Sequence, residues 1–71
     1  MKTEQGMTAN ERRVLEYLKS RHDPDDGYLF TSIGRIAVEN DRIASPVLVE
    51  ALWSLLARGL VERVGGQWRA V

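Results

Sequence analysis

Apolar and polar residues near the start of the chain alternate with the period of a helix. The apolar positions of this segment are Val14, Leu15 and Leu18. Residues at this spacing share one face of a helix, and the polar residues between them face solvent. Thr8 followed three residues later by Glu11 forms a capping box, which satisfies backbone N–H groups of a first helical turn. We therefore predict a first helix that begins after Thr8 and ends near Arg21.

The middle of the chain predicts a short strand followed by a second helix of about two turns. Residues 28–30 form an aromatic-rich run bounded by turn residues, which is typical of a short strand. Thr31 or Ser32 can serve as the N-cap of the following helix, which we expect to end near Asn40. Its apolar positions are Ile33, Ile36 and Ala37.

The clearest helical pattern lies in the third quarter of the chain. Its apolar stripe consists of Leu48, Ala51, Leu52, Leu55 and Leu56. Ser45 precedes Pro46, and we expect Ser45 to cap this helix because proline is best tolerated at the first helical position. Gly59 follows Arg58 where a left-handed C-terminal cap is needed. These signals predict a third helix over residues 45–57.

Two strand-like runs, residues 60–64 and 67–71, flank the pair Gly65 and Gly66 and predict a β-hairpin. A two-residue turn sets the register. The predicted pairs are Val64 with Gln67, Arg63 with Trp68, Glu62 with Arg69, Val61 with Ala70 and Leu60 with Val71. One face of the hairpin then carries Val61, Trp68 and Ala70, which we expect to contribute to the core.

This order of elements resembles the winged helix-turn-helix superfamily. Residues 52–63 (LWSLLARGLVER) are similar to the junction of the family's third helix with its first wing strand, and residues 31–37 (TSIGRIA) resemble its short second helix. The resemblance covers residues 8–71 and implies an α+β fold of three helices, a short strand and a C-terminal hairpin wing. Residues 1–7 are expected to form a flexible leader. Winged helices bind DNA through the third helix and the wing, and some dock proteins instead.

Composition limits the remaining chemistry. The 71 residues make a single small domain, with no cysteine, one histidine and a formal net charge of zero. We therefore expect no enzymatic activity, no cofactor or metal and no small-molecule substrate. The acidic residues at 23, 25 and 26 lack the closing glutamate of a calcium loop, because Gly34 stands at that position. The longest uncharged runs are too short to cross a membrane, so we expect no membrane partner and a cytoplasmic protein.

Basic and polar residues around the third helix form a candidate contact frame for duplex DNA. These residues are Arg35, Arg42, Ser45, Arg63, Gln67 and Arg69. The third helix itself contains no Lys, Arg, Asn or Gln, the side chains that most often contact base edges. The first hypothesis is therefore a transcriptional regulator whose DNA affinity comes mainly from phosphate contacts.

A protein interface is the alternative hypothesis. Val49 and Trp53 are predicted to face away from the leucine stripe, where they could bind a partner protein or a second copy of the chain. Two arginines of the DNA frame also have a purely structural interpretation, in which Arg69 pairs with Glu62 across the hairpin and Arg63 stacks on Trp68. Trp68 is expected in the core, and Trp53 either meets it there or remains exposed.

Overall fold

The computed structural model describes residues 6–71 and shows an α+β fold with three helices and two small antiparallel sheets. The helices are α1 (Ala9–Ser20), α2 (Ile33–Glu39) and α3 (Ser45–Ala57), and the strands are β1 (His22–Asp23), β2 (Gly27–Tyr28), β3 (Thr31–Ser32), β4 (Val61–Val64) and β5 (Gln67–Ala70). Of the predicted leader, residues 1–5 lie outside the described residues. Met7, the last residue of that leader, packs against the core.

Local hydrogen bonds fix both ends of α1. The capping box is confirmed, because the Thr8 hydroxyl accepts from the Glu11 N–H at 3.1 Å and the Glu11 carboxylate accepts from the Thr8 N–H at 2.7 Å. The helix ends at Ser20, one residue before the predicted end. Arg21 then donates from Nε to the Thr31 hydroxyl at 2.6 Å, which ties the end of α1 to β3.

The predicted strand at residues 28–30 is wrong in its bounds. Tyr28 belongs to β2, which pairs with β1, and the next strand of the main sheet begins only at Thr31. The Asp23 carboxylate accepts from the N–H groups of Asp25 and Asp26, and this turn folds β2 back onto β1. The aromatic run indicated extended backbone, but the positions of the pairing partners decided which of its residues form a ladder.

The second and third helices begin with different caps. Ser32 caps α2, since its hydroxyl accepts from the Arg35 N–H at 3.3 Å. The prediction that Ser45 caps α3 is wrong, because Ala44 is the N-cap and no side chain caps this end. Ser45 already has helical geometry, and Pro46 in the first turn needs no N–H partner. Gly59 adopts a φ of 74°, which confirms the predicted left-handed C-terminal cap.

The C-terminal hairpin, formed by β4 and β5, has the predicted register over four residue pairs. Beyond the fourth pair, the Val71 N–H donates to the Leu60 carbonyl at 3.1 Å. The central strand is β5, which pairs with β4 on one side and with β3 on the other. The predicted core face is confirmed, because Val61, Trp68 and Ala70 are all buried.

The core lies between α1, α3 and the buried face of the main sheet. Its largest fully buried side chains are Leu15, Leu18, Ile36, Leu48, Leu52, Leu55, Val14 and Val61. Four of the five residues predicted for the α3 stripe are buried, and Leu56 at its margin packs partly buried against them. This packing leaves the opposite face of α3 in solvent.

We expect Leu52→Ala to lower the free energy of unfolding by about 2 to 5 kcal/mol, because it removes a fully buried side chain and leaves a cavity. Val38→Ala is the matched control, since Val38 is 75% exposed on α2 and its truncation should change stability by less than about 0.5 kcal/mol. Urea unfolding of both variants measures the difference. Equal losses in the two variants would contradict the assigned core.

Candidate interaction surface on the third helix and the hairpin

The outer ridge of α3 is the exposed line formed by Pro46, Glu50, Trp53 and Ala57. These residues recur at intervals of three and four, so they follow one another along one side of the helix. Glu50 is the only charged residue of α3. The helix therefore presents a weakly acidic surface with a large aromatic side chain at its middle.

A contact between two tryptophans joins α3 to the C-terminal hairpin. The rings of Trp53 and Trp68 meet edge to face, with centroids 5.3 Å apart and an interplanar angle of 87°. Trp68 is 2% exposed and belongs to the core, as predicted, whereas Trp53 is 48% exposed. The Arg63 guanidinium lies 5.2 Å from the Trp53 ring centroid and 5.8 Å from that of Trp68. The expected stacking of Arg63 on Trp68 is thus confirmed and extends to Trp53.

The other side of the outer ridge faces the start of α1. A shallow open groove there is lined by Thr8, Asn10, Glu11, Val47, Glu50, Ala51 and Ser54. Arg63 approaches Trp53 from the hairpin, whereas Glu50 lies on the α1 side of the ridge. One positive and one negative side chain therefore flank Trp53 on opposite sides.

Two arginines of the predicted DNA frame are neutralised within the fold. The Arg35 Nε lies 3.0 Å from the Glu39 carboxylate, which also accepts from the Tyr17 hydroxyl at 2.5 Å. The hydrogen bond from Tyr17 and then that from Arg35 lower the pKa of Glu39, so this carboxylate keeps its charge to lower pH than an ordinary glutamate does. Arg69 forms the expected ion pair with Glu62. Because each of these arginines has a carboxylate beside it, each attracts a phosphate less strongly than an isolated arginine would.

Arg69 also stacks on an aromatic ring, because its guanidinium lies 4.5 Å from the Phe30 ring centroid. Phe30 precedes β3, so this contact joins the outer face of the hairpin to the segment that leads into the main sheet. Arg69 is therefore held by a carboxylate on one strand and a ring on another segment, which gives it a structural role.

The remaining predicted site residues are dispersed around α3. Arg42 is exposed in the turn before α3, and Ser45 is exposed at the start of that helix. Gln67 begins β5, where it pairs with Ser32 of β3. Within residues 6–71, no carboxylate lies within ion-pair distance of Arg42 or Arg63. Val49 was predicted to face solvent but is half-buried at the flank of the α3 stripe.

Two further pairs of residues on this surface could have been predicted from their spacing in the sequence, although neither pair was included in the predicted site. Arg35 and Glu39 are four residues apart on α2, the spacing at which opposite charges pair along a helix. Glu50 precedes Trp53 by three residues, which places both on one side of α3. Both features follow from helical periodicity, whereas the approach of Arg63 to Trp53 depends on how the hairpin packs.

No protein-family model, curated protein or solved structure matches this chain. Within residues 6–71, no helix has the length and apolar character required to cross a bilayer. The same residues contain no group of three or more metal-ligating side chains placed to hold an ion.

Glu11 connects the start of α1 to α3 beneath the groove. Glu11 is 8% exposed as a whole residue, and the nearby Ser54 side chain is the largest cause that lowers the pKa of its carboxylate. The hydrogen bond from the Thr8 backbone lowers the pKa further, and the charge of Arg58 acts in the same direction. The position of α1 against α3 thus depends in part on a charged carboxylate.

We expect stability to fall as the pH decreases below the ordinary glutamate pKa of about 4.3. Because folding lowers the pKa of Glu11, the unfolded chain binds this proton more readily, and acid favours unfolding. Glu11→Gln should flatten that dependence, and the lowered pKa of Glu39 should account for part of what remains. Urea midpoints measured between roughly pH 5 and pH 3 test this. A slope unchanged in Glu11→Gln would contradict the role of this carboxylate.

Proposed function

We propose that this chain is a winged helix-turn-helix domain that docks another protein through the outer ridge of α3. The order of helices and the packing of the C-terminal hairpin beside α3 support the winged-helix assignment. The half-exposed Trp53, held against the buried Trp68, is the observation that carries the docking function.

Trp53 has the properties of an interface anchor. Tryptophan is enriched among residues that contribute most to binding, because it buries a large rigid surface at a small entropic cost. Here the edge-to-face contact with Trp68 and the stacked Arg63 restrict the ring before any partner arrives. A preorganised side chain loses less conformational freedom on binding, so more of its contact energy contributes to affinity.

The electrostatics of α3 favour a protein over the major groove of DNA. Duplex DNA carries one negative charge for about every 1.7 Å of its axis. The sole charge on α3 is the Glu50 carboxylate, which would be repelled by the phosphates on both sides of the groove. A protein surface imposes no such field and can pair Glu50 with a cation.

We expect Trp53→Ala to weaken the association of the purified protein with its partner protein by about thirtyfold or more, as for an interface anchor. Pull-downs from an extract of the cells in which the protein naturally occurs, quantified by mass spectrometry, measure how much partner protein each variant retains. The matched control is Val38→Ala, which truncates an exposed apolar residue on α2, away from the ridge.

Circular dichroism melts establish that both variants remain folded. A partner that the parent and Trp53→Ala retain equally would contradict docking through the outer ridge. Loss of the partner in Val38→Ala alone would move the interface to α2.

Duplex DNA binding is a second candidate function. It is favoured by Arg42 and Arg63, which are exposed and form no ion pair with a carboxylate of residues 6–71. Both cations lie next to α3 and can contact phosphates. Phosphate contacts position a protein on DNA without identifying a sequence. If the protein binds DNA in this way, it should discriminate weakly between DNA sequences, and most of the affinity should come from the release of counterions from the phosphates.

We expect combined Arg42→Ala and Arg63→Ala substitutions to lower DNA affinity on all duplex sequences alike. They should also flatten the dependence of log affinity on log salt by roughly one unit for each arginine removed from a phosphate. Mobility shifts at several salt concentrations measure both effects. Arg12→Ala on α1 is the control, since it removes one exposed positive charge that does not belong to the predicted DNA frame. No salt-sensitive shift with the parent protein would eliminate the candidate.

A further inference from the structure

We infer that the partner seated on the outer ridge is a second copy of this chain, related to the first by a two-fold axis that passes near Trp53. This inference rests on the proposed docking function and specifies its occupant. It is carried by the placement of Glu50 and Arg63 on opposite sides of an exposed aromatic ring.

Neither of these two charges has an oppositely charged partner among residues 6–71. Among residues 6–71, no cation lies within ion-pair distance of Glu50, and Arg63 contacts aromatic rings instead of a carboxylate. By contrast, Arg35 and Arg69 each have a carboxylate partner in the same chain. The outer ridge and the hairpin beside it thus keep one uncompensated charge of each sign.

A two-fold axis brings these charges together. In a symmetric dimer the same patch serves both partners, so a contact between residue 50 of one copy and residue 63 of the other is always accompanied by the converse pair. Rotation by half a turn about an axis that runs parallel to α3 past Trp53 exchanges the α1 side of the ridge with the hairpin side. The acidic side of each copy therefore lies against the basic side of its partner, and two ion pairs form at the edge of the contact.

The centre of the ridge suits close approach of two identical helices. Trp53 lies between Pro46 and Ala57, whose side chains are compact, so the ring is the main projection of the surface. Two Trp53 rings that meet at the axis would each bury the half of their surface that now faces water. The formal net charge of zero leaves no overall repulsion between copies.

Charge-reversal variants of the full chain test this arrangement. Glu50→Arg leaves two positive groups on the ridge, and Arg63→Glu leaves two negative ones. Each variant alone should self-associate at least about tenfold more weakly than the parent, because like charges then face each other across the axis. An equimolar mixture of the two variants should recover a dimer, since both facing pairs again have opposite charges. Arg12→Glu on α1 serves as the control and should dimerise as the parent does.

Sedimentation velocity over a range of concentrations measures the dimer in each sample. Recovery in the mixture requires that both variants be folded, so it separates charge pairing from loss of structure. A parent that remains monomeric overturns the second copy as occupant. If a different protein is then lost on Trp53→Ala, the proposed docking function still stands. If the Trp53→Ala variant dimerises as strongly as the parent, the dimer forms through another surface, and this result also overturns the inference.

Discussion

Burial of the apolar stripe on α3 is the constraint on which the rest of this structure depends. Leu48, Leu52 and Leu55 are almost completely buried between α1 and the main sheet, and together they make up a large part of the small core of this 71-residue chain. Because a helix that buries one face must expose the other, this packing also determines the outer ridge. Pro46, Glu50, Trp53 and Ala57 face solvent as a direct consequence. The core and the candidate interaction surface are therefore two sides of one element.

The C-terminal hairpin adds chemistry to that ridge. It contributes Trp68 to the core, and through Trp68 it limits how far the exposed Trp53 ring can move. It also brings Arg63 over Trp53 from a position ten residues further along the chain. A cation over an aromatic face is worth about 0.5 to 1 kcal/mol at an exposed site, so this contact orients side chains more than it stabilises the fold. The surface is thus partly ordered before a partner binds.

The number of arginines near α3 overstates the positive potential of this surface, because some of them pair with carboxylates in the folded chain. The four arginines of the predicted DNA frame appear equivalent in the sequence as phosphate contacts. In the structure Arg35 pairs with Glu39 and Arg69 pairs with Glu62, so only Arg42 and Arg63 remain without a carboxylate of residues 6–71. Exposed ion pairs contribute little to stability, typically below about 1 kcal/mol. Their larger effect here is to reduce the positive field around a helix that already carries a negative charge.

Periodicity and capping patterns by themselves determined the three helices, the buried stripe of α3 and the register of the hairpin. These features depend on residues close together in the chain, as with the Thr8 and Glu11 box or the Gly65 and Gly66 turn. The sequence did not determine that β3 begins at Thr31, that Val49 is half-buried or that Arg63 reaches Trp53. Each of these depends on a contact between segments distant in the chain. Only the packing of α3 against the hairpin and α1 sets the distances between such segments, so the tertiary structure alone decided them.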